Sequence, residues 1–149
     1  MKGGFHFKRV MIIDDDNLSR LLVEKMIKRF DFADEVIECA TAIEGLDYLS
    51  TNSFALPEII FLDINMPVVN GFEFLDRFEK LNNVSKGHCA IIMLSSSVDK
   101  AEIERAEADK RVRFFLSKPL TLPNLKAISN TFQPFARDIS TVNNNKLHG

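Results

Sequence analysis

The sequence predicts an α/β fold, a doubly wound five-stranded parallel sheet formed by five βα repeats. Short apolar runs of strand length alternate along the chain with segments whose apolar residues recur at helical spacing. This alternation is typical of a parallel sheet with right-handed crossovers and helices on both faces. The 149 residues match the size of one ordinary domain, and we find no internal repeat and no linker to a second domain.

Five apolar runs are short enough to be strands. In chain order they are Val10–Ile13, Val36–Ala40, Ile59–Leu62, Ala90–Leu94 and Phe114–Leu116. The third and fourth runs lack polar alternation, which indicates strands that are covered on both faces.

Helices are predicted between the strands from apolar spacing near 3.6 residues. For the first helix, the residues predicted to face the core are Leu18, Leu21, Leu22, Met26 and Phe30. Thr41 and Glu44 have capping-box spacing and open the second helix, whose apolar residues are Ile43, Leu46 and Leu49.

The last three predicted helices differ in apolar content. They span Gly71–Leu81, about Asp99–Asp109 and about Thr121–Phe132. The fourth helix has only a few small apolar contacts (Ala101, Ile103 and Ala106), which indicates a thinly packed and mobile element. Residues 1–133 form the predicted domain. Residues 134–149 lack apolar periodicity and are expected to form a flexible tail, too short for an output domain.

Composition argues against several classes of protein. Apolar residues make up 46% and charged residues 27% of the chain, which is too apolar for a disordered protein, and no apolar run approaches the roughly 18 residues of a membrane helix. The net charge of -2 argues against a nucleic-acid or membrane-surface partner. Met1–Lys8 lacks the apolar segment of a secretory signal, so we expect a cytoplasmic protein.

The cysteines and histidines predict no site of their own. Cys39 and Cys89 are expected to be buried free thiols. The three histidines are too scattered to indicate zinc: His6, His88 and His148.

Polar side chains end four of the predicted strands. They are Asp14, Asp15 and Asp16 after the first, Asp63 after the third, Ser95 after the fourth, and Ser117 and Lys118, followed by Pro119, after the fifth. Ligands bind at this edge of open parallel sheets. Taken alone, Asp16 is better explained as a helix cap, Ser95 as a loop or cap residue and Lys118 as a solvated lysine. The coincidence of all of them indicates a site.

Clustered carboxylates need compensating positive charge. Two unit charges 4 Å apart repel by roughly 4 kcal/mol at an effective dielectric constant near 20. Lys118 can neutralise one charge, and Mg²⁺, which prefers few carboxylates with water and phosphate oxygens, can offset the rest. A carboxylate beside Mg²⁺, a hydroxyl and a lysine suits phosphoryl transfer, with Asp63 as the nucleophile.

The ordered set resembles the receiver domain of bacterial two-component response regulators. Over about residues 8–133, the matching stretches are Ile12–Asp16, Leu62–Pro67 with Gly71, Met93–Ser97 and Phe115–Pro119. The resemblance implies a flavodoxin-like sheet with strand order 2-1-3-4-5. It also implies that Asp63 is the phosphoacceptor, that Asp15 binds Mg²⁺ directly, and that Asp14 does so mainly through water. Asp63 and the backbone carbonyl of Asn65 complete the implied metal site, and the Asn65 side chain borders the hydrolytic water.

The resemblance implies a switch as well. Lys118 would pair with Asp63 and then with the phosphoryl group, aided by a cis peptide bond at Pro119, while the Ser95 hydroxyl moves toward the phosphoryl oxygens. Phe115 occupies the position of the switch aromatic, although it is often Tyr there; a plain core residue is the alternative. The basic residues of the segment 107–113 are either a docking rim or, as we prefer, a solvated turn: Lys110, Arg111 and Arg113.

The implied function is a phosphorylation-dependent signalling switch. A sensor histidine kinase or histidine phosphotransfer protein would donate to Asp63, and the fourth helix, fifth strand and fifth helix would present a changed surface to a downstream protein. No enzyme activity is expected beyond self-catalysed phosphoryl transfer and autodephosphorylation, with no nucleic-acid or membrane partner. Two alternatives stay open. One is a haloacid-dehalogenase-type phosphatase, against which Asn65 argues because a second Asp is needed there; the other is a receiver that is not phosphorylated.

Overall fold

The computed structural model describes residues 6–82 and 84–136. The elements are β1 (Phe7–Ile13), α1 (Asn17–Arg29), β2 (Ala33–Cys39), α2 (Ala42–Thr51), β3 (Ile59–Leu62), α3 (Gly71–Glu79), β4 (Ala90–Ser95), α4 (Lys100–Ala108), β5 (Val112–Ser117) and α5 (Leu122–Ala136). All five predicted strands are present. Three of them begin earlier than predicted, at Phe7, Ala33 and Val112, because their first residues include polar side chains that the search for apolar runs passed over.

The five strands form one parallel sheet in the order β2-β1-β3-β4-β5. This order confirms the doubly wound, flavodoxin-like fold. Every residue of β3 and β4 is buried, as the lack of polar alternation in their sequences predicted. The edge strands β2 and β5 carry exposed residues, which is expected where one side of a strand has no neighbour.

The two faces of the sheet are covered by separate apolar clusters. Side chains of α2 and α3, with Ala106 of α4, pack on one face, while α1 and α5 cover the other. Successive residues of a strand point to opposite faces, so Met11 belongs to the first cluster and its neighbour Ile12 to the second. In this three-layer arrangement, each strand ends at a loop that leads to a helix on one face of the sheet or the other.

The predicted buried face of α1 is correct only for Met26 and Phe30, which pack partly buried against the core, and is wrong for its three leucines. Four side chains that were predicted to face the core are 40–60% exposed. They are Leu18, Leu21 and Leu22 of α1 and Ile43 of α2. The face of α1 that contacts the sheet carries Val23 and Ile27, which are buried. This stripe is offset from the one through Leu18 and Leu22 by about 100° around the helix axis. Since α1 carries apolar residues on both stripes, spacing alone selected the wrong one.

The helix ends also differ from the predictions. Thr41 accepts a hydrogen bond from the Glu44 backbone N–H (3.0 Å), but Glu44 accepts one from the backbone N–H of Ala40 instead of Thr41, so this capping box is half formed. Helix α5 continues to Ala136, and the rest of the predicted tail, residues 137–149, lies outside the described residues. None of the helices in the described part of the chain is both long and apolar enough to cross a bilayer.

Both cysteines are buried free thiols, as predicted. Burial raises the pKa of Cys39 to about 11 and that of Cys89 to about 12. Because the thiolate is the reactive form of cysteine, neither side chain is suited to nucleophilic or redox chemistry at neutral pH.

Candidate functional site

Three carboxylates meet at the carboxyl ends of β1 and β3. These strands are neighbours in the sheet, and their backbone pairing extends into the loops, where the Asp63 N–H donates to the Ile13 carbonyl (3.0 Å). One carboxylate oxygen from each of Asp14, Asp15 and Asp63 lies within 4.8 Å of the others. Asp14 and Asp63 are buried, whereas Asp15 is exposed, so the cluster is open to solvent on one side.

Burial and nearby negative charge oppose ionisation of Asp63, a residue that is only 8% exposed. Desolvation, followed by the negative charge of Asp14, raises the pKa of Asp63 to about 6, and the nearby Lys118 acts in the opposite direction. Two unit charges at 4.8 Å repel by about 3 kcal/mol at an effective dielectric constant near 20. A cation bound at this cluster would therefore relieve a cost that the fold imposes.

Lys118 supplies one cation from the end of β5. Its Nζ donates a hydrogen bond to Asp14 Oδ2 (2.7 Å) and lies 3.7 Å from Asp63 Oδ1. The resemblance implied a pairing with Asp63, but in the structure the shorter contact is with Asp14. The ammonium also donates to Ser19 Oγ on α1 (3.2 Å), so two partners hold it on the β1 side of the cluster.

The residues around Asp14 are arranged by the start of α1. Asp16 accepts a hydrogen bond from the Leu18 backbone N–H (3.0 Å) and is the N-cap of α1, in line with the ordinary explanation of this residue. Its own backbone N–H donates to Asp14 Oδ1 (2.9 Å), and Arg20 Nη1 donates to the Asp14 carbonyl (2.7 Å). Both oxygens of the Asp14 carboxylate are thus already engaged, which suits a ligand that contacts a metal through water.

Ser95 ends β4 beside the cluster and is 1% exposed. Its Oγ accepts a hydrogen bond from the Ser97 backbone N–H (3.0 Å), while Asp99 is the N-cap of α4. Accepting this bond leaves the hydroxyl proton of Ser95 available for a further acceptor. The backbone carbonyl of Ser95 accepts from the Lys118 N–H (2.9 Å), so the hydroxyl and the lysine are joined through the backbone.

The remaining predicted residues lie around this centre. The Asn65 side chain is exposed and donates from Nδ2 to Glu102 Oε1 on α4 (3.1 Å). The peptide bond between Lys118 and Pro119 is cis, the isomer that the resemblance implied. Phe115 is partly buried and packs against the cluster formed by α2 and α3, which agrees with both the core and the switch interpretation.

Gly71 keeps the loop after Asp63 tight. Its N–H donates to the Ile64 carbonyl (2.8 Å), and a Cβ atom at this position would lie 2.6 Å from the Asp63 carbonyl oxygen. Real Cβ atoms do not approach a backbone atom this closely, so a larger residue would displace the backbone that carries Asp63.

The basic segment before β5 is largely engaged within the protein. Arg111 donates to Asp109 and Asp76 through its guanidinium, with N···O distances of 2.7–2.9 Å. Arg113 lies over the ring of Phe132, 4.9 Å from its centroid. These two side chains contact α3 and α5, although Arg113, like Lys110, belongs to an exposed residue.

Two contacts at the site were not predicted from the sequence. Ser19 lies one helical turn after the acidic triplet, and this spacing could have indicated its contact with Lys118. Glu102 is 37 residues from Asn65, so only the adjacency of β3 and β4 in the folded sheet brings this pair together.

The donor set fits a hard divalent cation. Mg²⁺ prefers oxygen ligands and keeps several of its waters, and the cluster offers two buried carboxylates with an exposed third beside solvent. Within residues 6–82 and 84–136, Asp14, Asp15 and Asp63 form the one group of three or more side chains of metal-ligating type. The backbone carbonyl of Asn65 is the candidate for a further ligand.

Comparisons with known proteins identify the family. A model of the response regulator receiver domain matches residues 10–130. Protein PilG of Pseudomonas aeruginosa is 32% identical over 129 residues, which cover 85% of this chain and 90% of that protein. The crystal structure of a two component response regulator from Cytophaga hutchinsonii is similar with a TM-score of 0.77 and 31% identity, covering 85% of this chain and 96% of the other.

A further relative is much longer than this chain. The protein-glutamate methylesterase/protein-glutamine glutaminase of Methanococcoides burtonii is 28% identical over 138 residues, and the match spans 37% of its length. The similarity therefore concerns only part of that protein. Together with the sheet order and the positions of the strand-end residues, the match over residues 10–130 shows that the chain belongs to the response regulator receiver domain family.

Proposed function

We propose that this receiver domain is a signalling switch that accepts a phosphoryl group on Asp63. The observation that carries the proposal is the position of Asp63 at the end of a central strand. Oxygens of Asp14 and Asp15 lie within 4.8 Å of an oxygen of its carboxylate, and the Lys118 ammonium is 3.7 Å away. A nucleophilic oxygen beside carboxylates that can hold a cation, with a lysine next to them, suits phosphoryl transfer.

The transfer step follows from these groups. An Asp63 carboxylate oxygen attacks the phosphorus of a phosphohistidine on a partner kinase or phosphotransfer protein. The P–N bond breaks as the O–P bond forms, and the histidine ring leaves as imidazole after taking up a proton. Asp14, Asp15, Asp63 and the Asn65 carbonyl would hold Mg²⁺, which when bound supplies positive charge to the phosphoryl oxygens.

The new phosphoryl group changes the local charge balance. Lys118 and the Ser95 hydroxyl are the nearby donors that can turn toward it, because the hydroxyl proton of Ser95 is available and the ammonium is shared among several acceptors. Movement of Ser95 and Lys118 would shift the packing of α4 and β5, and with α5 these elements form the surface that a downstream protein would recognise.

Mass spectrometry tests the proposal directly. After incubation with acetyl phosphate and MgCl₂, the protein is expected to gain the mass of one PO₃ group, and EDTA is expected to prevent the gain. Asp63→Asn should abolish it, whereas Asp47→Asn, which changes an exposed carboxylate on α2, should not. A wild-type protein that gains no phosphoryl group, or an Asp63→Asn variant that does, would contradict the proposal.

Mg²⁺ binding has a separate readout. A ligand that binds the folded protein alone stabilises it in proportion to the logarithm of its concentration. Millimolar Mg²⁺ is therefore expected to raise the Tm of the wild-type protein more than that of Asp15→Asn. A Tm that does not change with Mg²⁺ would contradict the assignment of the metal site.

A further inference from the structure

A hydrogen bond connects the loop after β3 with the first turn of α4. Asn65 Nδ2 donates to Glu102 Oε1 at 3.1 Å, across 37 residues of sequence. Asn65 is two residues after Asp63, and Glu102 is partly buried. A side chain of the moving surface proposed above is thus joined to a residue beside the proposed phosphoacceptor.

The topology places this bridge beside the strand ends that carry Asp63 and Ser95. Strands β3 and β4 are neighbours, so the loop that follows β3 and the helix that follows β4 flank one cleft. Asp63 directly follows β3 and Ser95 ends β4, so both residues lie at this edge of the sheet. A hydrogen bond from the loop to the helix therefore joins the segment that follows Asp63 to the segment that follows Ser95.

The bridge matters because α4 buries little apolar surface. Ala106 is the one residue of α4 that is buried, while α4 also has its N-cap bond to Asp99 and a contact of Arg105 with the Phe72 ring, 3.9 Å from its centroid. An element with few apolar contacts opens at low free-energy cost. A single polar contact in its first turn is then a substantial part of what fixes its position.

We propose that Glu102 is a positioning residue that holds the Asn65 amide across this cleft and so lengthens the life of the phosphoryl group on Asp63. The inference rests on the proposed function and deepens it. Hydrolysis requires a water oxygen to attack the phosphorus while the O–P bond to Asp63 breaks, which regenerates the carboxylate and releases inorganic phosphate. With the bridge closed, the Asn65 side chain limits the approach of that water.

The bridge also couples the signalling surface to phosphate loss. When α4 moves away from the loop, the hydrogen bond breaks and the amide is released from the cleft. A partner that holds α4 in the position described here prolongs the phosphorylated state, and one that displaces α4 shortens it. This coupling acts through a contact between two elements rather than through the strand-end residues.

The test measures the half-life of the phosphorylated protein after removal of acetyl phosphate. Glu102→Ala removes the acceptor and is expected to shorten the half-life by about two- to tenfold, the range in which one hydrogen bond shifts an equilibrium. Glu102→Gln keeps an acceptor oxygen at the same reach, and its half-life should stay within about twofold of the wild type. Glu107→Ala, an exposed position on the same helix, is the control and should have the wild-type half-life.

A double-mutant cycle separates the bridge from the other effects of Asn65. If the two side chains act through their contact, Asn65→Ala combined with Glu102→Ala changes the half-life by less than the product of the single effects. A double variant whose half-life changes by the full product of the single effects would overturn the inference while the proposed function stands. A Glu102→Ala half-life equal to that of the wild type would do the same. A wild-type protein that accepts no phosphoryl group would overturn both, so the two failures are distinguishable.

Discussion

Helices α3 and α4 pack on the same face of the sheet, but they are held there by different interactions. Helix α3 buries four large apolar side chains: Phe72, Phe74, Leu75 and Phe78. Its N-terminus has a complete capping box formed by Asn70 and Glu73. Helix α4 buries only Ala106 and depends on contacts with Asn65 and Phe72 for much of its attachment.

The comparison indicates which side of the cleft is firmly packed. Apolar burial contributes about 1.5–3 kcal/mol for each large side chain, whereas an exposed polar contact contributes less than about 1 kcal/mol. Asp63 leads into α3, so the proposed phosphoacceptor is on the firmly packed side. Ser95 leads into α4, so the hydroxyl that would respond to a phosphoryl group is next to the weakly held helix.

The first prediction compares how much buried residues of α3 and of α4 contribute to the free energy of unfolding. Phe74 is fully buried, and Phe74→Ala is expected to reduce the free energy of unfolding by about 3–5 kcal/mol, because the lost contacts leave a cavity. Ala106→Gly, at the one buried position of α4, should reduce it by about 1 kcal/mol. Urea unfolding measures both values. Equal losses for the two variants would show that α4 is as firmly packed as α3.

Much of this contrast could be predicted from the sequence. The weak apolar stripe of α4 predicted a thinly packed helix, and the fully apolar runs of β3 and β4 predicted central strands. The face of α1 could not be predicted, because Leu18 and Leu22 form a stripe as regular as that of Val23 and Ile27. Which stripe meets the sheet depends on how the helix is oriented after its Asp16 cap, and that orientation is a property of tertiary packing.

The site divides in the same way. Residues at strand ends were predictable, since parallel strands deliver their carboxyl ends to one edge and the family motifs mark Asp63 and Lys118. Contacts from helices were not. Ser19 meets Lys118 and Glu102 meets Asn65 through distances set by helix placement, and local sequence spacing carries little information about that placement.

The second prediction concerns the ionisation of Asp63, which precedes α3. The pKa of Asp63 is raised from 3.8 to about 6, so the metal-free folded protein loses stability as the pH rises from about 4 through about 6. In EDTA at neutral pH, Asp63→Asn is therefore expected to be more stable than the wild type by about 1–3 kcal/mol. The difference should become small near pH 4, where the carboxyl is protonated in the folded state, and should disappear only below the unfolded-state pKa of 3.8, where it is protonated in both states.

Urea unfolding across this pH range checks the prediction. Asp47→Asn, an exposed carboxylate on α2, should show no comparable rise in stability at neutral pH. If metal-free Asp63→Asn is no more stable than the wild type at neutral pH, then burial does not destabilise the ionised carboxylate.

A smaller effect is expected at the C-terminal end of α4. Arg111 joins Asp109 to Asp76 of α3 with N···O distances of 2.7–2.9 Å, and the hydrogen bond from Arg111 lowers the pKa of Asp109. Arg111→Ala should reduce the free energy of unfolding by about 1 kcal/mol at neutral pH, and by less in about 1 M salt. Part of the loss should vanish in acid, as Asp109 becomes protonated.

The exposed neighbour Lys110 provides the matched comparison for Arg111. Lys110→Ala should leave stability and its salt dependence close to those of the wild type. Should Arg111→Ala also have no effect, the turn between α4 and β5 would not be anchored on α3.

The last prediction distinguishes local opening of α4 from unfolding of the whole protein. The Arg105 guanidinium carbon lies 3.9 Å from the centroid of the Phe72 ring, and such an exposed contact contributes about 0.5–1 kcal/mol. Arg105→Ala should therefore barely change urea unfolding but should speed amide hydrogen exchange in α4, because that helix opens locally. Amides of α3 should keep their protection, and Glu107→Ala should leave exchange in both helices unchanged. Faster exchange in α3 as well as α4 would mean that the two helices open as one unit. The distinction between a firmly packed α3 and a weakly held α4 would then be wrong.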